Sequence, residues 1–211
     1  IRDTLVIDEF LYISAILKKN NLNSKNNFKY SSIILRAKLN DALDFLKFSI
    51  FFQAPEKIKL VTPDLSHGGG RIEHYKDDKL LFIIPEYGKS ELSQNSSSIY
   101  GKSILIKMND PNDYEIFTYG HRNSQGLLYD KDKDLIIASE HGPMGGDEIN
   151  ILIKGQNYGW PTTFFGSTGD NIKDDHSNPK YKKPILIWND NPGSSQIVKC
   201  KDNEYFLSSL S

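Results

Sequence analysis

Residues 70–88, GRIEHYKDDKLLFIIPEYG, line up with residues 126–142, GLLYDKDKDLIIASEHG. Each stretch reads as a strand, a turn of Asp and Lys, an apolar strand and a Glu-x-Gly exit, with Glu86 and Glu140 in equivalent places. Residues 195–211, SQIVKCKDNEYFLSSLS, repeat the strand–turn–strand portion, and residues 5–14, LVIDEFLYIS, give a shorter version. Hairpins that recur roughly every 55 to 70 residues are the pattern of β-propeller blades. An ordinary β-sandwich with similar hairpins is the alternative.

Outside these hairpins, short apolar runs are parted by clusters of Gly, Asn, Asp, Ser and Pro, an all-β signature. The expected strands are 10–15, 32–38, 48–53, 71–75, 80–84, 103–107, 115–119, 126–129, 134–139, 148–153, 184–188 and 205–210. Only residues 39–48, LNDALDFLKF, have a passably helical pattern, and a strand-and-turn reading fits them equally. Residues 20–27 and 94–98 are short low-complexity loops, and no linker divides the chain.

Composition sets the outer bounds. The chain has 211 residues, 38% hydrophobic and 25% charged, with 11% aromatic, which fits a soluble globular protein rather than a disordered one. A formal net charge of -1 removes the electrostatic case for a nucleic-acid partner or a polybasic membrane surface. The longest apolar run, 80–84, is far short of the roughly 20 residues of a membrane-spanning helix. Cys200 is the one cysteine, so neither a disulfide framework nor a multi-cysteine metal site exists. The chain opens on Ile1 without a secretory leader pattern and stops inside what reads as a strand at 205–211. It is therefore expected to be one partial domain, 1–211, truncated at both ends.

Common motifs can be set aside. Gly-Lys-Ser occurs at Gly88 and Gly101, but a phosphate loop needs a glycine five residues earlier, where Ile83 and Ser96 stand. There is no dinucleotide-binding glycine pattern, no His-Glu-x-x-His and no Gly-x-Ser-x-Gly. Three runs do depart from hairpin composition: GHRNSQG at 120–126, SEHGPMGGDEIN at 139–150 and GQNYGWP at 155–161. Arg122, Asn123 and Gln125 set a fixed cation and two amides before a strand, a fork suited to a planar ligand with carboxylates and carbonyls. Gly142-Pro143 and Gly145-Gly146 can leave backbone carbonyls accessible beside Asp147 and Glu148, the hard oxygen donors that Ca²⁺ prefers. A solvated acidic turn is the plainer reading of the same residues.

The three runs, in this order, resemble the soluble quinoprotein glucose dehydrogenase and aldose sugar dehydrogenase family. Its pattern is Gly-His-Arg-Asn-Pro-Gln-Gly, then Glu-His-Gly-Pro-x-Gly-Gly-Asp-Glu, then Asn-Tyr-Gly-Trp-Pro. Ser66-His-Gly-Gly-Gly-Arg-Ile72 is similar to the family's His-x-x-Gly-Arg segment. The resemblance, strong over residues 66–161, implies a six-bladed β-propeller of which this chain covers roughly four blades. It also implies oxidation of the anomeric carbon of aldose sugars, with pyrroloquinoline quinone (PQQ) as hydride acceptor and Ca²⁺ assistance. The implied setting is periplasmic or secreted, with an external electron acceptor and room for a homodimer.

The resemblance assigns residues as well. His67 takes the place of the general base, Glu86 of the carboxylate that orients it, and Arg122 of the cation that stabilises charge on the quinone. Asn123, Gln125 and His141 would border the cofactor. The carbonyls of Gly142 and Pro143 match the ligands of the catalytic Ca²⁺, and Glu148 with Tyr158 a second, structural calcium site. These groups are expected to converge near the propeller axis. His74, His121 and His176 are read as structural or exposed, and Trp160 and Trp188 as packing residues. The chain departs from the pattern at Ser124, usually Pro, at Met144, usually Arg, and in residues 89–100, which lack a Gln-Asp before Gly-Lys. The first two changes imply a less rigid loop and one positive charge fewer. The rival reading is a non-catalytic, calcium-stabilised propeller that binds carbohydrate or protein.

Overall fold

The computed structural model describes residues 1–20, 28–40, 42, 45–55, 66–167 and 178–210. It is built of antiparallel sheets whose strands follow one another in chain order. The first sheet holds β1 (Asp3–Ile7), β2 (Phe10–Asn20), β3 (Phe28–Lys38) and β4 (Ser49–Gln53). The second holds β5 (Ile72–Tyr75), β6 (Lys79–Ile84), β7 (Lys102–Lys107) and β8 (Tyr114–Tyr119). The third holds β9 (Asn123–Asp130), β10 (Leu135–His141), β11 (Glu148–Ile151) and β12 (Leu186–Ile187). A hairpin of β13 (Ile197–Lys201) and β14 (Glu204–Leu207) follows. This is the all-β, propeller-type architecture expected, as three four-stranded blades and the first two strands of another.

The repeat seen in the sequence is the first hairpin of each sheet. Its acidic turns have a steric cause. Asp8, Asp77, Asp78, Asp134 and Asn203 all adopt positive φ, which short polar side chains tolerate and β-branched ones do not. Among the described residues there is no α-helix, only a 3₁₀ turn at Ser90–Ser93. Within 39–48, residues 41, 43 and 44 lie outside the described residues and the others form no helix. Residues 21–27 and His176 also lie outside them. No helix among the described residues is long and apolar enough to cross a membrane.

The sheets stack face to face, which explains the long apolar runs in β6 and β10, the second strands of the middle hairpins. Leu80, Phe82 and Ile84 of β6 pack with Tyr12, Ile34 and Phe52 of the first sheet. The intervening Leu81 and Ile83 pack with Leu127, Ile136 and Ala138 of the third. β10 does the same one sheet further on, turning Ile136 toward the second sheet and Ile137 toward Ile197 of β13. A strand covered on both faces loses the polar alternation of a half-exposed one. Burying each such side chain contributes about 1.5–3 kcal/mol.

The first strands touch in series, β1 against β5, β5 against β9 and β9 against β13, so they line the axis. Arg71, just before β5, spans all of them. Its Nε donates to the Gln125 carbonyl at 2.5 Å. Its terminal nitrogens reach the Arg2 carbonyl, Asp3 Oδ1 and Ser195 Oγ, each at 3.5 Å. The last hairpin is held to the third sheet by Asp130, which accepts from Tyr205 Oη at 2.6 Å and from Lys199 Nζ at 2.9 Å. Those two donors hold the Asp130 carboxyl down to about 2.

A depressed carboxyl contributes stability that is present above its unfolded value of 3.8 and is lost as pH falls toward 2. Asp130→Asn should therefore raise amide exchange in β13 and β14 at pH 6, and make it less sensitive to acid between pH 4 and 2. Unchanged exchange at pH 6 would show that the hairpin docks without Asp130.

Candidate active site

In an antiparallel hairpin, the entry to the first strand and the exit of the second lie at the same end. Residues 66–70 lead into β5 and Glu86 follows β6, while residues 120–122 lead into β9 and Glu140 closes β10. The sheet order thus brings four separate stretches of sequence to one end of the stack. There they border a cleft of about 450 Å³ lined by His67, Arg122, His141, Pro143 and Asp147, among others.

His67, Glu86 and Arg122 form a continuous hydrogen-bonded chain. His67 Nδ1 lies 3.0 Å from Glu86 Oε1, and Arg122 Nη2 lies 3.0 Å from His67 Nε2. A guanidinium can only donate, so Nε2 carries the lone pair and the ring proton sits on Nδ1, donated to Glu86. The Glu86 side chain is 1% exposed, whereas that of His67 is 24% exposed at the cleft. The Lys89 amide donates to the other Glu86 oxygen at 2.7 Å. Arg122 Nη1 donates to the carbonyls of His141 at 3.1 Å and Gly142 at 3.0 Å, and its guanidinium lies over the Trp160 ring. Burial pushes the Arg122 guanidinium below its ordinary value, against the pull of Glu86, Glu140 and Asp147. It stays charged at neutral pH all the same.

Asn123, which borders the cleft, and Gln125 are also bonded within the protein. The Asn123 amide donates to the Ser66 carbonyl at 3.2 Å and accepts from the Gly69 amide at 3.3 Å and Gln125 Nε2 at 2.9 Å. These bonds fasten the His67 loop onto β9. Gly69 is needed there, because a Cβ would stand 2.2 Å from the Ser124 carbonyl oxygen. His141 Nε2 donates to the Ser194 carbonyl at 2.7 Å. The 142–146 turn folds tightly on itself, a Cβ on Gly142 meeting the Gly145 carbonyl oxygen at 2.2 Å. Asp147, 1% exposed, supports this turn by accepting from the amides of Gly142 and Ser194.

The structure revises one expectation drawn from the departures and shows what occupies the others. Ser124 does not simply loosen its loop: it lies in β9, buried, and its hydroxyl donates to Glu140 Oε2 at 2.8 Å. Residues 89–100 form the 3₁₀ turn and a brace, in which Gln94 bonds the Asn157 side chain and the Trp160 carbonyl. Met144 is exposed at the cleft. Glu148 and Tyr158 border a smaller recess beside Trp160, next to the same turn. The Tyr158 hydroxyl is engaged by the Ile151 carbonyl and the Ile153 amide. Asn150 Oδ1, two residues along β11 from Glu148, is buried without a hydrogen-bond partner. Among the described residues no three His, Cys, Asp or Glu side chains are grouped to hold a metal ion.

Glu140 and Arg71 were given no role in the site from sequence, and for Glu140 a signal existed. His67–Glu86 and His121–Glu140 have the same separation of 19 residues, and both form an imidazole–carboxylate contact at 3.0 Å. His121, read as structural or exposed, is buried.

The stacked sheets and the imidazole–carboxylate–guanidinium cleft at their end define a propeller with an enzyme-like site. Residues 8–208 match the glucose/sorbosone dehydrogenase family, and the chain belongs to that family. It is 31% identical over 166 residues to the aldose sugar dehydrogenase YliI of Escherichia coli, covering 71% of this chain and 43% of that protein. It is 27% identical over 181 residues to quinoprotein glucose dehydrogenase B of Acinetobacter calcoaceticus, covering 72% of this chain and 36% of that protein. The solved PQQ-bound aldose sugar dehydrogenase of Streptomyces coelicolor superposes with a TM-score of 0.70 at 24% identity, over 96% of this chain and 56% of that one. The chain thus spans less than half the length of the two curated relatives.

Glu148 generates a test of the site's electrostatics. Burial, with Glu140 and Asp147 nearby, pushes its carboxyl up to about 8, against the Asn150 hydrogen bond. From the ordinary value of 4.5 up to 8 the folded protein then holds a proton that the unfolded chain has lost, so stability falls as pH rises through that window. In chelator, Glu148→Gln should melt higher than the wild type at pH 8 and show a flatter profile from pH 5 to 8 by calorimetry. A variant that melts lower at pH 8 would contradict this account.

Proposed function

We propose that the complete protein is a PQQ-dependent oxidoreductase that oxidises the anomeric carbon of aldose sugars, and that this cleft carries its proton-transfer chemistry. The observation that supports this most is the chain Glu86–His67–Arg122, with its imidazole open to the cleft. The reading sets the enzyme in the periplasm or outside the cell, with an external electron acceptor.

The residues suit the groups this reading needs. Arg122 Nε is buried without a hydrogen-bond partner, which leaves one donor of a fixed cation for a planar, anionic cofactor. Asn123, Gln125 and His141 would frame that cofactor. The carbonyls of Gly142 and Pro143 would hold one Ca²⁺ as a Lewis acid, with the buried Asp147 carboxylate behind them. Glu148 and Tyr158 would border a second, structural ion in the recess beside Trp160.

His67 takes the anomeric hydroxyl proton at Nε2 while the bond between the anomeric carbon and its hydrogen breaks. PQQ, when bound, supplies the two-electron acceptor for the departing hydride. The Nδ1 proton of His67 stays on the ring, where the buried Glu86 carboxylate orients the base and stabilises the imidazolium that forms. Arg122 Nη2 must first release Nε2, which frees the guanidinium to face the negative charge that develops. The rival reading, a calcium-stabilised binding module, draws on the same contact, because Arg122 occupies the lone pair a base needs.

Dye-coupled oxidation of an aldose panel by the full-length protein, with and without PQQ and Ca²⁺, separates the two. The enzyme reading expects turnover that needs both additions, and no turnover on any sugar would leave the binding module. His67→Gln should lower kcat by about 10²–10⁴-fold while PQQ affinity stays near the wild-type value. Recovery of full activity at saturating PQQ would make His67 a cofactor contact instead.

A further inference from the structure

The His67–Glu86 pair has a double whose imidazole no substrate can reach. His121 donates to Glu140 Oε2 at 3.0 Å, and its side chain is 1% exposed. Its other nitrogen lies 2.7 Å from Thr118 Oγ1, and its ring stacks on Tyr158 with centroids 4.7 Å apart. Each histidine precedes the first strand of its sheet and each glutamate stands at the exit of the second. One copy opens onto the cleft and the other is sealed inside the protein.

The sealed copy acts on Arg122. Glu140 Oε1 accepts the Arg122 backbone amide at 2.5 Å, while Oε2 accepts from His121 and from the Ser124 hydroxyl. The Arg122 carbonyl is held in turn by the Glu86 amide at 3.2 Å. The residue is therefore pinned on both sides, between the two glutamates that end β6 and β10. A bulge between Ser139 and Glu140 interrupts the β9–β10 ladder at this point, a device that re-aims side chains beside active sites. From the pinned backbone the guanidinium reaches His67 Nε2 and two carbonyls of the 141–142 turn.

We propose that Glu140 is a positioning residue for Arg122: held by His121 and Ser124, it fixes the Arg122 backbone so that the guanidinium stays beside His67, placed to face the developing negative charge once Nε2 is released. The proposal rests on the role given to Arg122 above. A repeated imidazole–carboxylate pair then serves twice, once as a base with its orienting group and once as the mount of the cation. Such a mount matters because displacing a catalytic group by about 1 Å can lower a rate by about 10²-fold.

Glu140→Gln in the full-length protein keeps the size of the side chain but cannot accept from both His121 and Arg122 as the carboxylate does. It should lower kcat per bound PQQ by about 10²-fold with the sugar KM unchanged. In an Arg122→Lys background the same substitution should cost less than about threefold, since a group acting through Arg122 has little left to lose. A crystal structure of the cofactor-free Glu140→Gln protein should show Arg122 Nη2 beyond about 3.5 Å from His67 Nε2. Ser124→Ala, which removes one donor and keeps the charge, should lower kcat per bound PQQ several-fold and serves if Glu140→Gln does not fold. A retained Arg122–His67 contact in Glu140→Gln, full additivity with Arg122→Lys, or unchanged kcat in the folded variants would overturn the proposal. A wild-type protein without PQQ-dependent turnover would sink the functional reading alone, because the crystallographic distance still tests the mount.

Discussion

The guanidinium of Arg71 touches the first strand, or the residues leading into it, of every other sheet in the chain. Sheets stacked around an axis bury their faces against one another, but their inner edges would meet as unpaired backbone. A guanidinium carries five donors in one plane and no acceptor, so a single side chain can serve several carbonyls at once. Arg71 fills that place, with Asp3 as its counter-charge and as the acceptor for the Ile72 amide. The cleft depends on this join, since Ser66 and Gly69, which flank His67, lie only a few residues before Arg71 and lean on Asn123 of the next sheet.

At the site, opposite charges are buried together. Glu86, Glu140, Asp147 and Glu148 are buried, and the partly buried Arg122 cation lies near the first three. Burial by itself raises the Glu140 carboxyl, yet the His121 imidazole, the Arg122 amide and the Ser124 hydroxyl together hold it below the ordinary value. Glu148 has the Asn150 amide alone and moves the other way. Two carboxylates on facing strands, paired across Glu140 and Glu148, are therefore shifted in opposite directions, because one has three donors and the other has the Asn150 amide alone.

Much of the architecture was legible because hairpins carry local signals. The Asp-rich turns at Asp77–Asp78 and Asp134 mark positive φ, and the apolar runs of β6 and β10 mark strands covered on both faces. β1 and β13 appeared only within the repeat, since alone they are too short and too mixed to stand out. Two readings fit 39–48 equally, and the described residues there form no helix. Phe52, in β4 just beyond them, joins the apolar core of the first two sheets. Packing against a neighbouring sheet outweighs a weak local propensity.

The sequence by itself determined the hairpins, their turn chemistry and the residue types of the cleft, because those follow from steric preference and from patterns within about 20 residues. Only the tertiary structure decided which polar groups stay open to the cleft. Asn123 and Gln125 read as ligand-holding amides, and in the folded protein the Asn123 amide also fastens the His67 loop and accepts from Gln125. His67 and His121 stand in equivalent local sequence, yet one faces the cleft and the other is sealed under Tyr158. The difference comes from what packs over each ring, and in a propeller the covering groups arrive from a neighbouring sheet or a distant loop, which no local pattern encodes.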